Sequence, residues 1–255
     1  MIGLTKESSP MNILECIAKA KADKVKSLDL SDKHLRLLPP ELFELESLEE
    51  LKLDENLLVE LPEEICQLKN LRNLSVSEND LMMLPDSLCE LSKLENLYLG
   101  YNSLSEIPET LGKLIHLQKV NIARNQLLDL PDSIGNWVNV TKLSLHDNML
   151  SAIPEAMGKL CNLSKLYLDN NDLVSLPSSL SQMDKLEILM ASGNKLAAIP
   201  ESFGSFKNLR ELVLDENEIE YAPASLADCK TLQILSLVSN PLVGDLPKSL
   251  TGKPG

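Results

Sequence analysis

The chain has 255 residues, a formal net charge of −14 at pH 7 and an isoelectric point near 4.7. This acidic balance argues against nucleic-acid binding, because contacts to phosphate groups need clustered Lys and Arg. Hydrophobic residues make up 44% of the chain but aromatic residues only 3%, so the core must consist of leucine and similar aliphatic side chains.

No apolar run in the chain is long enough for a secretory signal peptide or a membrane-spanning helix. The five cysteines are odd in number and lack the closely spaced terminal clusters that extracellular proteins use as disulfide caps. We therefore expect a cytoplasmic protein without a membrane span.

The N-terminal residues 1–24 predict a tail followed by a short amphipathic helix over residues 8–23. Pro10 suits the first helical turn. The apolar residues expected to share one face are Ile13, Leu14, Ile17 and Ala18. This helix would cover the apolar end of the domain that follows.

Residues 25–250 repeat one 23-residue phrase, LxxLxLxxNxLxxLPxxIxxLxx, whose first full copy runs from Leu48 to Asn70. Ten copies follow one another without insertion, and they begin at Val25, Leu48, Leu71, Leu94, Leu117, Val140, Leu163, Leu186, Leu209 and Leu232. The early apolar residues of each copy alternate, which predicts a short strand with one buried face. Such regular copies predict strands stacked in parallel.

Two further positions recur in nearly every copy. An Asn follows each predicted strand, from Asn56 to Asn240, and we expect a ladder of Asn side chains that bind backbone groups. Lys33 takes this position in the first copy. A Pro, from Pro39 to Pro223, then redirects the chain into apolar residues spaced as in short helical turns.

Three residues depart from the phrase without predicting a site. Trp137 stands where other copies have Leu, so we expect it in the core. Cys66 and Cys89 share one position in adjacent copies, but without further Cys or His nearby they predict ordinary thiols rather than a metal site. We expect neither a metal nor a cofactor.

The tenth copy is irregular, because Pro247 comes one residue late and nothing after it resembles a cap. Two explanations remain open. The tail at residues 251–255 lies over an open end, or the chain is a fragment of a longer protein.

This phrase resembles the leucine-rich repeat, specifically the intracellular 23-residue LxxLPxxI class of Ras suppressor proteins, plant Ras-group repeat proteins and scribble- and erbin-type scaffolds. The resemblance covers residues 25–250. It implies an α/β solenoid shaped as a curved horseshoe, with a parallel β-sheet on the concave face and short 3₁₀ or α turns on the convex face. It also implies a non-enzymatic scaffold that binds another protein in signalling, with small-GTPase, phosphatase or cytoskeletal pathways as candidate settings.

The exposed residues of each strand lie two, four, six and seven positions after the start of a repeat, and they divide the concave face into three zones. The first zone, in repeats one to three, is acidic. It contains Asp29, Asp32, Glu50, Asp54, Glu55 and Glu78, with Lys52 as its one cation. In so acidic a chain this composition is typical of a solvated face.

The middle zone combines aromatic and cationic side chains, which is the composition of interaction hot spots. It consists of Tyr98, Tyr101, Lys119, Arg124, Lys142, His146, Lys165 and Tyr167. Lys119, Lys142 and Lys165 occupy one column in successive repeats. We expect this zone to bind an acidic or phosphorylated segment of a partner, with a column of merely solvated lysines as the alternative.

The third zone, in repeats eight to ten, is apolar and consists of Ile188, Met190, Val213, Ile234 and Val238. It is a secondary candidate for docking an apolar helix or a second copy of the chain. Alternatively, the C-terminal tail or additional downstream chain covers it.

No arrangement of residues typical of catalysis occurs in the sequence, so we do not expect an enzyme. His34, His116 and His146 lie in different repeats, and there is no GxSxG, HExxH or Gly-rich phosphate loop. His146 could pair with Asp147, but a nucleophile is missing. Two alternative functions stay open: a regulatory or recognition part of a larger enzyme, and a spacer in a cytoskeletal or axonemal complex.

Overall fold

The computed structural model describes residues 10–243 of the chain, and the elements within this range are one α-helix, ten strands and nine 3₁₀ helices. The α-helix is α1, Pro10–Ala22. The strands β1–β10 are Ser27–Asp29, Glu50–Lys52, Asn73–Ser75, Asn96–Tyr98, Lys119–Asn121, Lys142–Ser144, Lys165–Tyr167, Ile188–Met190, Glu211–Val213 and Ile234–Ser236. The 3₁₀ helices are Pro40–Glu44, Glu63–Gln67, Asp86–Glu90, Glu109–Lys113, Asp132–Asn136, Glu155–Lys159, Ser178–Gln182, Glu201–Ser205 and Ala224–Asp228.

The ten strands form one open parallel sheet in chain order, from β1 to β10. Because every repeat has 23 residues, each strand pairs with its neighbour at equivalent positions; Leu97 of β4, for example, lies opposite Val120 of β5. The central residue of each strand is buried, and its two neighbours face the opposite side. The predicted solenoid is thereby confirmed, and the predicted concave face is the exposed face of this sheet, here called the sheet face.

The recurring Pro ends the extended segment of its repeat, and the 3₁₀ helix that leads back towards the next strand begins directly after it. Pro108, for example, has φ −65° and ψ 140° and immediately precedes the 3₁₀ helix Glu109–Lys113. A backbone fixed in this way cannot continue a strand ladder, and its φ suits the first residue before a helical turn. The predicted short turns are therefore confirmed, and in residues 10–243 they are all of the 3₁₀ type.

The Asn ladder is confirmed as the brace between repeats. The amide nitrogen of Asn125 donates to the carbonyl oxygens of Leu99, Ile122 and Ala123 at 3.0, 3.1 and 3.2 Å. Its amide oxygen accepts from the backbone N–H of Leu104 at 3.0 Å. Each Asn thus satisfies backbone groups of its own and the preceding repeat, which explains why a buried amide is retained in an aliphatic core.

One aliphatic core runs the length of the sheet, between the strands and the 3₁₀ helices. Trp137 is buried in it as predicted, and the indole N–H donates to the carbonyl oxygen of Leu111 at 3.1 Å. This hydrogen bond satisfies the single polar atom of the side chain.

Helix α1 packs on the first 3₁₀ helix, as expected of a cap, but the predicted buried face is partly wrong. Ile13 and Ile17 are buried, whereas Leu14 and Ala18 are exposed. Cys16 and Ala20 are buried in their place. The stripe at 13, 16, 17 and 20 follows the i, i+3, i+4, i+7 pattern of a helix with one buried face.

Several expectations concern residues outside the described range. They include the tail before Pro10, the irregular end of the tenth repeat with Pro247, and the tail at residues 251–255. Within residues 10–243, no helix combines the length and the apolar character needed to cross a bilayer.

Candidate functional site

The sheet face is organised in columns, because the exact register repeats each position at the spacing of parallel strands, about 4.8 Å. Lys119 of β5 lies directly opposite Lys142 of β6, and Lys142 lies opposite Lys165 of β7. The predicted lysine column therefore exists. It continues into Asn96 on one side and Ile188 on the other.

None of the three column lysines forms an ion pair with a carboxylate among the residues that the structure describes. The backbones of neighbouring column lysines are one strand spacing apart, and two ammonium groups at that spacing of about 5 Å would repel each other by roughly 0.8 kcal/mol even in water. The arrangement is thus mildly unfavourable in the free protein. An anionic partner would relieve this repulsion on binding.

Two of the tyrosines contact cationic side chains. The guanidinium carbon of Arg124 lies 4.6 Å from the ring centroid of Tyr101. The ammonium of Lys142 lies 5.4 Å from the ring centroid of Tyr167. Both distances are within the range of cation–π attraction, so these rings help to hold the two cations in place on the sheet face.

Asp147 links two members of the middle zone, Arg124 and His146, to Asn170. Its Oδ2 lies 3.2 Å from Arg124 Nε and 2.9 Å from His146 Nδ1, and its Oδ1 accepts from the side-chain amide of Asn170 at 2.7 Å. Burial alone would raise the pKa of Asp147, but the hydrogen bonds from His146 and Asn170 and the charge of Arg124 outweigh it and hold the pKa below its ordinary value. The sequence suggested the His146 pair but not Arg124 or Asn170.

The network formed by Tyr101, Arg124, Asp147 and Asn170 lies at one position of four successive repeats, seven residues after the repeat start. All four have a positive φ, between 53° and 57°. The signal for this left-handed backbone was present in the sequence, since Asp32, Asn170 and Gly193 share the position and all three residue types tolerate it. Tyr and Arg are less suited to it, so Tyr101 and Arg124 occupy it at some cost in stability.

Tyr98 lies apart from the other aromatic residues of the zone. It belongs to the column of Ser75, Asn121, Ser144 and Tyr167, and two strands separate it from Tyr167. Burial raises the pKa of its phenol above the ordinary value, and the hydroxyl can donate a hydrogen bond. Together with Lys119 it lines a shallow groove of about 390 Å³ on the sheet face.

The acidic zone proves to be partly structural. Asp54 accepts hydrogen bonds from the Ser75 hydroxyl at 2.6 Å and the Ser77 backbone N–H at 2.8 Å. Glu50 accepts from the Ser27 hydroxyl at 2.6 Å. These carboxylates tie adjacent repeats together, so they are less available to a partner than fully solvated charges.

The apolar zone is interrupted. Met190 lies opposite Val213 and also next to Tyr167, which joins this part of the zone to the middle zone. Glu211, however, lies between Ile188 and Ile234 in their column. Val238 is exposed at the far end, where its backbone N–H donates to Asp215 at 2.7 Å.

The described residues contain no group of three or more His, Cys, Asp or Glu side chains that could hold a metal ion. His34, His116 and His146 stay in separate repeats. The side chains that the sheet face presents can take part in charge contacts, hydrogen bonds and contacts with aromatic rings.

Comparisons with known proteins agree with this architecture. The chain matches the leucine rich repeat family over residues 23–81, 69–127, 115–173 and 138–196. A comparison with curated protein sequences gives no match.

Among solved structures, the chain is similar to a leucine-rich repeat protein of Leptospira interrogans, at 32% identity and a TM-score of 0.82 over 91% of this chain and 65% of that one. It is also similar to the plant peptide hormone receptor RGFR1 in complex with RGF2, at 33% identity and a TM-score of 0.82 over 91% and 39% of the two chains. A third similar structure is the Arabidopsis receptor kinase HAESA in complex with the peptide hormone IDA and the co-receptor SERK1, at 31% identity and a TM-score of 0.76 over 90% and 40%.

The chain thus spans less than two thirds of each of these three structures. The family matches nevertheless run from residue 23 to residue 196, and a strand, a ladder Asn and a 3₁₀ helix recur in the same order in repeats two to nine. The chain belongs to the leucine-rich repeat family.

Proposed function

We propose that this protein is a non-enzymatic binding module whose sheet face holds an acidic or phosphorylated segment of a partner protein. The observation that carries the proposal is the column of Lys119, Lys142 and Lys165, three neighbouring ammonium groups with no described carboxylate in ion-pair contact. Such an arrangement is unfavourable alone and favourable against an anion.

The charge of this zone contrasts with that of the whole chain. The chain carries a net charge of −14, yet the middle zone has four permanent cations, Lys119, Arg124, Lys142 and Lys165. Asp147 is already engaged by Arg124 and His146. Local positive charge on an acidic protein attracts an acidic partner to this zone, whereas the negative charge of the rest of the protein repels it.

Aromatic residues provide the apolar contact that charges alone lack. Tyr101 is exposed, and Tyr98 and Tyr167 are half-buried at outward positions of their strands. Tyr and Arg carry much of the binding energy in protein interfaces, because they bury a large area with few rotatable bonds. The similarity to RGFR1 and HAESA, which were solved in complexes with peptides, supports a peptide-like ligand.

We further propose that the module acts inside the cell, as a signalling scaffold of the 23-residue class that the sequence resembles. All five cysteines are free thiols. Cys161 is exposed, and an unpaired exposed thiol is better suited to a reducing compartment than to an oxidising one.

The experiment is capture from a cell lysate by three immobilised proteins, with identification of the retained proteins by mass spectrometry. The first is the native chain, and the second carries Lys119→Glu, Lys142→Glu and Lys165→Glu. The control carries Lys113→Glu, Lys159→Glu and Lys185→Glu, three exposed lysines away from the sheet face, and has the same net charge as the second protein.

We expect a discrete partner that the native chain and the control retain and the column variant loses. Equal thermal unfolding of the two variants would show that lost capture is not lost folding. Retention of the same partner by the column variant would overturn the proposed site.

A further inference from the structure

A second surface lies on one lateral edge of the solenoid, where the chain leaves the sheet. It consists of the loop residues that lie nine to twelve positions after each repeat start. In repeats two to eight, the residue ten positions after the repeat start is a buried leucine, such as Leu58 or Leu81, which anchors the loop to the core. The residues around it point outward, so their chemistry defines the edge.

Large apolar side chains are exposed on this edge in repeats two and three. Met82 and Met83 are 64% and 61% exposed, and Val59 is 49% exposed. The backbone N–H of Met82 donates to the carbonyl oxygen of Val59 at 3.3 Å, which places the two loops side by side. Leu128, two repeats further on at the position equivalent to Met82, is 58% exposed. Clustered exposure of this kind is typical of interaction sites.

Carboxylates flank the apolar residues. Glu60, Asp80, Glu106 and Asp129 are all exposed on the same edge. None of them forms an ion pair with another of the described residues, and the loops 57–60, 80–83, 103–106 and 126–129 contain no Lys, Arg or His. The edge of repeats two to five is therefore apolar and acidic, the reverse of the middle zone of the sheet face.

The outward residues of these loops form two adjacent rows along the solenoid, the first mainly apolar and the second mainly acidic. One row, eleven positions after each repeat start, contains Val59, Met82, Ser105 and Leu128. The next row contains Glu60, Met83, Glu106 and Asp129. The rows advance by about 4.8 Å per repeat, close to the 5.4 Å pitch of an α-helix. Each helical turn of a ligand would meet about one repeat.

We propose that this lateral edge, defined by Val59, Met82, Met83 and Leu128 with Glu60, Asp80, Glu106 and Asp129, docks a basic amphipathic helix of another protein. The apolar stripe of the helix contacts the first row, and its Lys and Arg side chains meet the carboxylates. Methionine side chains adapt to varied apolar partners because they are flexible and polarizable. The edge covers four repeats, about 14 Å between the first and last loops, so a helix of about three turns is sufficient.

The probe is a fluorescein-labelled 14-residue peptide with Leu on one helical face and Lys on the other. Its matched control is a peptide of the same composition in scrambled order, which has no apolar face. Binding to the full chain is measured by fluorescence anisotropy at about 0.15 M salt, where contacts that depend on net charge alone are screened.

The first variant carries Met82→Gln and Met83→Gln, which remove apolar surface without changing charge. The matched control carries Met149→Gln and Val174→Gln, two exposed apolar residues in repeats six and seven of the same edge. The third variant carries Glu60→Gln, Glu106→Gln and Asp129→Asn. All of these side chains are exposed, so we expect the fold to be retained.

We expect the native chain to bind the amphipathic peptide at least tenfold more tightly than the scrambled one. The Met82, Met83 variant should bind it about tenfold more weakly, the loss of one good apolar anchor, and the Met149, Val174 control within about twofold of the native chain. The carboxylate variant should bind more weakly and with less dependence on salt. Equal binding of the two peptides, or native affinity in the Met82, Met83 variant, would overturn the proposal. Self-association of the native chain that this variant abolishes would also overturn it, because the occupant would then be a second copy.

Discussion

Lys142 lies directly opposite Lys119 in the adjacent parallel strand, and Lys165 lies opposite Lys142 on its other side. Lys142 is therefore the only one of the three with a like charge on both sides. The ring of Tyr167 offers it a cation–π contact at 5.4 Å. If Lys142 contributes to binding as proposed, its substitution should change partner capture much more than it changes stability.

Lys142→Glu is predicted to remove partner capture with little effect on stability. The new carboxylate would replace two repulsions by two attractions, each worth less than about 1 kcal/mol at an exposed site. The variant would also lose the contact with Tyr167, worth about 0.5–1 kcal/mol. We expect the thermal midpoint to stay within about 2 °C of the native value. A much larger decrease would show that Lys142 has a structural role that the account omits.

Asp147→Asn is predicted to destabilise the protein at neutral pH. The pKa of Asp147 is lowered in the folded chain, so its ionised form contributes stability that is present above the ordinary carboxyl pKa and is lost as pH falls through the lower folded pKa. We expect a thermal midpoint below that of the native chain at pH 7, by about 2–4 °C, and a smaller difference near pH 3. Asp228→Asn, at an exposed carboxylate, is the control. A difference that grows on acidification would contradict this reading.

Asp169→Asn is predicted to have the opposite effect. Burial raises the pKa of Asp169, despite the hydrogen bond from the Ser192 backbone N–H at 3.0 Å. The folded chain then binds the proton more readily than the unfolded chain, so stability decreases as pH rises through the folded pKa. Asn keeps an acceptor for Ser192 and has no charge to desolvate. We expect a midpoint about 1–3 °C higher at pH 7, with no gain at pH 3, and unchanged or tighter capture of an acidic partner.

Asn125→Ala is predicted to be strongly destabilising. The change removes three hydrogen bonds that the amide donates and leaves the buried backbone N–H of Leu104 without its acceptor. The expected loss is about 2–4 kcal/mol in the free energy of unfolding, measured by urea denaturation. Asn136→Ala, at an exposed residue of a 3₁₀ helix, should change it by less than about 0.5 kcal/mol. Similar losses in both variants would mean that the ladder contributes no more than an exposed Asn does.

Much of the fold could be predicted because the repeat has no insertions. With 23 residues in each of its copies, the register of β5, β6 and β7 follows from residue numbers alone, and so does the lysine column. The Asn and Pro positions follow in the same way, because each has one local backbone function that does not depend on distant contacts.

Features that depend on how side chains or whole elements turn could not be predicted in this way. The prediction of which face α1 buries was partly wrong. Leu14 and Ala18 fit an apolar stripe in the sequence as well as Cys16 and Ala20 do. Only packing on the first repeat distinguishes the two. The link from Arg124 through Asp147 to Asn170 likewise needs coordinates, because long side chains reach across repeats in more than one direction. Glu211 interrupts the apolar zone. This interruption could have been predicted, because the register alone places Glu211 between Ile188 and Ile234.

The position of a captured partner on the protein tests binding on the sheet face most directly. Tyr167→p-benzoylphenylalanine places a photoreactive group beside Lys142 on the sheet face, and Lys159→p-benzoylphenylalanine places one at an exposed residue of a 3₁₀ helix on the other side of the core. After irradiation with the partner bound, we expect a cross-linked product from the Tyr167 protein and none from the Lys159 protein. A cross-link from the Lys159 protein alone would contradict binding on the sheet face.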